Sequence, residues 1–148
     1  MAQSLSQVLI HLVFSTKNRE PFLTVEVRPR VFEYLSGALK GIECPPIAVG
    51  GLADHVHLLF GLARTITISK VAEEVKKESS KWAKGIVSAT FSWQNGYGAF
   101  SVSPSNGEKV QAYIANQEDH HRERTFQDEF RALLRRNGVE WDERYVWD

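Results

Sequence analysis

From Val8 to Ser15 (VLIHLVFS) the chain is almost wholly apolar, the pattern of a strand buried on both faces. Lys17-Asn18-Arg19-Glu20-Pro21 ends it with loop chemistry. Between Glu26 and Lys40, Val27, Val31, Phe32, Leu35 and Leu39 recur at helical spacing. Pro29 fits such a helix only in its first turn, and Gly41 supplies the stop. Pro45-Pro46 leads into a short strand, Ile47 to Gly51, and His55 to Leu62 (HVHLLFGL) forms the next. The connection between them, Gly50 to Asp54, is tight enough to make the pair antiparallel. Thr67 to Lys84 reads as a helix with Ile68, Val71, Val75 and Trp82 on its apolar side. Phe91 to Gly98 is an aromatic, glycine-containing loop, and Ala99 to Ser103 is a fourth short strand. A helix from Glu108 to His121 follows, then a last one from Thr125 to Arg136 that ends at Asn137-Gly138.

The order β-α-β-β-α-β predicts an α+β, ferredoxin-like (split βαβ, RRM-like) fold. Four antiparallel strands carry two helices on one face, with the first and third strands central. The other face stays free for a ligand or for the C-terminal helices. The 148 residues suit a single domain, 1–148, with a core of about 7–104, a helix at about 108–121 and a C-terminal helix and tail at about 125–148. With 43% hydrophobic and 24% charged residues the balance is globular, not disordered. One cysteine, Cys44, excludes an intrachain disulfide and a Cys-rich zinc site, and points to a reducing compartment, the cytoplasm. Met1 to Ser6 lacks the charged and apolar regions of a signal peptide, and no apolar run suggests a membrane span.

Candidate chemistry gathers in two places. In Asp54-His55-Val56-His57 the two histidines are spaced i, i+2, so a strand directs both imidazoles to one face. They either chelate a divalent ion or hydrogen-bond within the sheet. Asp54 either orients an imidazole or serves the turn. The second place is Tyr113-Ile114-Ala115-Asn116-Gln117-Glu118-Asp119-His120-His121, where a helix brings Tyr113 and Gln117 to one face and His120 near it. The plain alternative is a tyrosine packed in the core beside a polar helix end. Together the two places offer two imidazoles and an amide oxygen for Mg²⁺ or Mn²⁺, although imidazoles also take Zn²⁺. A metal there would polarise a phosphoryl oxygen, and the phenol would be a nucleophile. No Walker-type loop suggests a nucleotide cofactor. His11 reads as structural unless it shares the face of His55, in which case it lines the site.

The segments HLVFSTKNR (11–19), DHVHLLF (54–60), KKESSKWAK (76–84), WQNGYGAFSVS (93–103), YIANQEDHH (113–121) and the closing FQDEFRALLRRNGVEWDERYVWD resemble, in order, the single-tyrosine HUH transposases of the insertion sequence 200/605 type, with which the REP-associated tyrosine transposases are grouped. The resemblance implies a small homodimer that cuts and rejoins single-stranded DNA at hairpin-flanked ends with a divalent metal. It implies Tyr113 as nucleophile, His55, His57 and Gln117 as metal ligands, and a tyrosine helix able to act on the partner's site. Two other readings remain: a non-catalytic, domesticated hairpin-binding protein of the same fold, and a metal-dependent phosphoester hydrolase.

The net charge of zero speaks against indiscriminate coating of nucleic acid. The charge is nevertheless uneven: residues 64–85 carry +3 and residues 118–148 carry −3. The second helix therefore offers the best phosphate contacts, with Lys76, Lys77, Lys81 and Lys84 foremost and Lys17 and Arg19 as weaker candidates. The alternative is a solvated helix face of Glu–Lys pairs. Trp93, Tyr97 and Phe100 are expected to pack in the core, at least two of them, or else to stack on bases. The acidic, aromatic end from Glu140 to Asp148 reads as a docking tail.

Overall fold

The computed structural model of the protein describes residues 2–122 and 124–148. Strands β1 (Leu9–Ser15), β2 (Pro46–Gly51), β3 (His55–Gly61) and β4 (Gly98–Val102) form one antiparallel sheet in the order β2-β3-β1-β4. This is the ferredoxin-like arrangement, with β1 and β3 central as their apolar sequences require.

The register sorts the side chains. Leu12 pairs with Leu58 and Phe14 with Val56, so Ile10, Leu12, Phe14, Val56, Leu58 and Phe60 share one face. Helices α1 (Arg28–Gly41) and α2 (Ile68–Ile86) cover that face through Val31, Leu35 and Leu39 and through Val71, Ala72, Val75 and Ala83. Pro29 lies in the first turn of α1, where a missing N–H costs nothing. Thr67 caps α2, its hydroxyl accepting from the Lys70 amide. The alternate residues Leu9, His11, Val13, Ser15, His55, His57 and Leu59 point to the other face.

The C-terminal helices cover that second face. The helix expected over residues 108–121 is two: α3 (Gly107–Ala115) and the single turn α4 (Gln117–His120). They part at Asn116, whose φ of −102° and ψ of 29° leave the helical region. Residues 116–121 (NQEDHH) carry no apolar residue, so hydrophobic spacing is silent about the break and the backbone angles reveal it. Helix α5 (Phe126–Arg136) follows, capped by the Thr125 hydroxyl. Ile114 packs on Leu9 and Leu59, while Phe126, Phe130, Leu133 and Leu134 pack on Val13 and Phe100. Two glycines let these helices come close. A Cβ on Gly50 would sit 2.8 Å from the Ile114 carbonyl oxygen, and one on Gly98 would sit 2.5 Å from the Phe130 ring.

Trp141, Val146 and Trp147 of the tail dock on the α5 cluster of their own chain. The Gly96 amide donates to the Asp148 carbonyl at 2.8 Å. Trp93 and Phe100 are buried as expected, and Tyr97 is partly exposed. Among the described residues no helix is long and apolar enough to cross a membrane.

Candidate metal and tyrosine centre

His55 and His57 lie on β3 beneath the C-terminal helices, both fully buried. Above them sits the Glu129 carboxylate of α5, also fully buried. Its Oε1 lies 3.1 Å from His57 Nε2, 3.4 Å from His55 Nε2 and 2.9 Å from His121 Nε2. Its Oε2 accepts from Gln117 Nε2 at 3.0 Å and from the Tyr113 hydroxyl. Gln117 Oε1 faces His55 Nε2 at 2.8 Å. Tyr113, three imidazoles, an amide and a carboxylate therefore meet within one chain, the tyrosine reaching the histidines in cis.

The far side of each imidazole is equally informative. His55 Nδ1 is 2.8 Å from Asp54 Oδ1, and His121 Nδ1 is 2.8 Å from the Arg124 carbonyl. His57 Nδ1 is 2.8 Å from His11 Nε2. With Nδ1–H donated to the Asp54 carboxylate, a neutral His55 ring turns its Nε2 lone pair towards the centre. At His55 that lone pair faces Gln117 Oε1, whose orientation is set because Gln117 Nε2 donates to Glu129. A lone pair against an oxygen is repulsive; a proton or a metal cation between them makes it attractive. Donors bound to one ion at about 2.1 Å lie roughly 3.0–3.4 Å apart. The observed separations, 2.8–3.4 Å, match that spacing. His55, His121 and Glu129 alone bring their ligand atoms within 4.8 Å of one another. His55, His121 and Glu129 thus fit a divalent ion, with His57 and Gln117 beside them.

Burial and charge set the protonation of the metal-free centre. Burial, then the neighbouring His57, pulls His11 down to about 3. Burial likewise lowers His57, against the pull of Glu129. At His121 burial disfavours charge, but the hydrogen bond and charge of Glu129 outweigh it and the pKa is raised. Burial would raise Glu129; its hydrogen bonds from His121 and His57 hold it far below the usual carboxylate range instead. Burial first, then the Glu129 charge, pushes Tyr113 above the ordinary phenol range.

These shifts carry a stability consequence. His11 and His57 stay neutral in the folded chain, whereas the unfolded chain protonates both near pH 6.5. Stability is therefore lost as pH falls below 6.5. His11 alone contributes about 2 kcal/mol of loss by pH 5. His121 acts oppositely, its contribution being full below pH 6.5 and lost as pH rises through its elevated folded pKa. Glu129 contributes above pH 4.5 and loses its contribution only in stronger acid. Urea unfolding in EDTA should show a lower midpoint at pH 5 than at pH 7, with the difference reduced in His11→Asn. An equal midpoint at both pH values would contradict this assignment.

The other candidates divide. His120 stacks on the Tyr113 ring with centroids 4.4 Å apart. Asp54 orients His55, and His11 shares its face and positions His57. Helix α2 lies on the opposite face of the sheet, so its lysines do not join the centre. Lys76 Nζ donates to the carbonyls of Gln94, Asn95 and Gly96 at 3.0, 3.1 and 2.6 Å and so clamps the aromatic loop. Lys84 Nζ donates to the Phe91 carbonyl, and Lys77 pairs with Glu74 at 3.1 Å. Lys81 and Lys17 are exposed. Arg19 borders a groove that reaches Asp54 and His121.

Glu129 and His121 escape a reading based on motifs. The signal for Glu129 is its place in the stripe Phe126, Glu129, Phe130, Leu133, where a carboxylate stands at a core position of an amphipathic helix. His121 lies just past α4, and only the following turn aims it inward.

Comparison with known proteins agrees with this architecture. The family model for IS200-like transposases matches residues 4–117. No curated protein matches the chain. A crystal structure of a candidate transposase from Deinococcus radiodurans R1 is similar, at 23% identity and a TM-score of 0.62, over 79% of this chain and 98% of that one. A REP-associated tyrosine transposase bound to a REP hairpin is similar at 17% identity and a TM-score of 0.57, over 82% of this chain and 75% of that one. With the family match spanning residues 4–117 of the 148, the chain belongs to the IS200-like transposase family.

Proposed function

We propose that this transposase cuts and rejoins single-stranded DNA beside a hairpin through a 5′-phosphotyrosine bond. One observation carries the reading: the Tyr113 hydroxyl and three imidazole Nε2 atoms converge on the same buried carboxylate, Glu129. A nucleophile and a set of metal ligands are thus held within one side chain of each other. The structural neighbour bound to a REP hairpin supports the hairpin as the recognised element.

In the proposed step Tyr113 Oη attacks the scissile phosphorus, and an O–P bond forms as the P–O3′ bond breaks. The phenolic proton leaves to solvent water: Glu129 Oε2 accepts the hydroxyl's hydrogen bond, but its lowered pKa makes it too weak a base to keep the proton. The products are a 5′-phosphotyrosine and a free 3′ hydroxyl. In rejoining, a 3′ hydroxyl attacks the phosphotyrosine, and Tyr113 leaves with its proton restored. A bound divalent ion would draw charge from a non-bridging phosphoryl oxygen. Of Mg²⁺ and Mn²⁺, the nitrogen-rich donor set suits Mn²⁺ better, because Mg²⁺ prefers oxygen ligands.

The test is a 5′-labelled hairpin strand with single-stranded extensions, incubated with protein and Mn²⁺ and run on a denaturing gel. A protein–DNA band whose peptide map places the nucleotide on Tyr113 is expected. Retention of the strand with no covalent band would identify a non-catalytic binder. Cleavage with no covalent band would identify a hydrolase that uses water. Either outcome overturns the reading.

A further inference from the structure

Beside the centre, a groove of about 610 Å³ is lined by Arg19, Arg28, Arg122 and Arg124 and reaches Asp54 and His121. Four guanidinium groups around one groove favour a polyanion. Among the described residues the acidic groups lining it are already engaged: Asp54 with His55 at 2.8 Å, and Asp128 with Arg131 at 3.2 Å.

Arg19 and Arg28 are the built part of this surface. Arg28 is held by its Nε donating to the Leu23 carbonyl at 2.9 Å. Among the described residues its two terminal nitrogens then have only a long 3.9 Å approach to the exposed Glu118. Arg19 Nη1 is buried and has no hydrogen-bond partner among the described residues. A buried guanidinium nitrogen without an acceptor is costly, and a phosphate oxygen is the acceptor its fork geometry fits. Its backbone is a second, independent sign. Asn18 and Arg19 have φ of 55° and 54°. Asparagine adopts that region readily and arginine does not. Such strain persists where the surroundings hold it, and it gathers at functional positions.

We propose that Arg19 and Arg28 grip a backbone phosphate of the single strand next to the scissile position, directing that strand along the groove to the histidines. The proposal rests on the reading of the site as one that acts on single-stranded DNA. Arg122, which pairs with Asp119 at 3.2 Å on the surface, lines the same groove.

The experiment is fluorescence anisotropy of a labelled hairpin, with and without a single-stranded extension. Full-length protein is titrated in EDTA over about 50 to 200 mM salt. Arg19→Gly should weaken binding of the extended hairpin about 10-fold and reduce the slope of log affinity against log salt by about 0.7. Its melting temperature should hold or rise, because glycine relaxes the positive φ. Arg28→Gln should lower the slope similarly, and the bare hairpin should bind both variants as it binds the wild type. An unchanged slope for both variants overturns the proposal, as does an equal loss on the bare hairpin. If the slope falls but no Tyr113 adduct forms, the groove stands and the cleavage reading fails. If the adduct forms and the slope is unchanged, the groove fails alone.

Discussion

Glu129→Ala should lower the melting temperature of the metal-free protein on the order of 10 °C, by removing the anion that five side chains share. The carboxylate is fully buried and meets His55, His57, His121, Gln117 and Tyr113. Breaking a buried charge cluster on one side costs about 3–5 kcal/mol, and in a domain of this size each kcal/mol moves the midpoint by roughly 2–4 °C. Mn²⁺ affinity, read by calorimetry or by the loss of free-ion EPR signal, should fall at least about 100-fold, since a charged ligand is gone. Glu129→Gln keeps the shape and one acceptor oxygen, so it should recover most of the stability and little of the affinity. A gain in Mn²⁺ affinity on either substitution would show that the carboxylate competes with the ion instead of binding it.

Tyr113→Phe should reduce cleavage by at least about 10³-fold and leave both hairpin binding and Mn²⁺ binding near the wild-type level. The proposed step uses the phenol, whose hydroxyl lies against Glu129. Its loss removes one hydrogen bond to Glu129, while Gln117 Nε2 still donates to the same oxygen at 3.0 Å. The stability change should therefore stay near 1.5 kcal/mol, the scale of a single hydrogen bond to a charged group. Residual cutting at the wild-type rate would move the nucleophile elsewhere. Lost hairpin binding would make Tyr113 a structural residue.

Much of the sheet was legible in the chain because a strand's period is short and its consequences local. The run Leu9–Ser15 could only be central, and the i, i+2 spacing of His55 and His57 settles that they share a face. The cap at Thr125 and the first-turn proline of α1 were equally local signals. The break at Asn116 was not legible, because residues 113, 117 and 120 fall on one side whether the helix is whole or parted. The lysines of α2 divide in a related way. Their count is local, but which face of the sheet their helix covers, and which carbonyls Lys76 and Lys84 reach, depend on the loop before β4.

The centre divides along the same line. Residue types and spacing by themselves determined a ferredoxin-like sheet, a paired-histidine strand and a tyrosine–glutamine helix, since each depends on neighbours a few positions apart. Only the tertiary structure decided that Glu129 and His121 close on that pair, that His11 holds His57, and that Arg19, its guanidinium over the Trp147 ring, borders the groove beside them. Contacts of the centre such as that of His57 with Glu129 join residues 72 positions apart in the chain. Burial drives them: α5 must place its apolar stripe on Val13 and Phe100, and in doing so it carries one carboxylate into the space above the histidines.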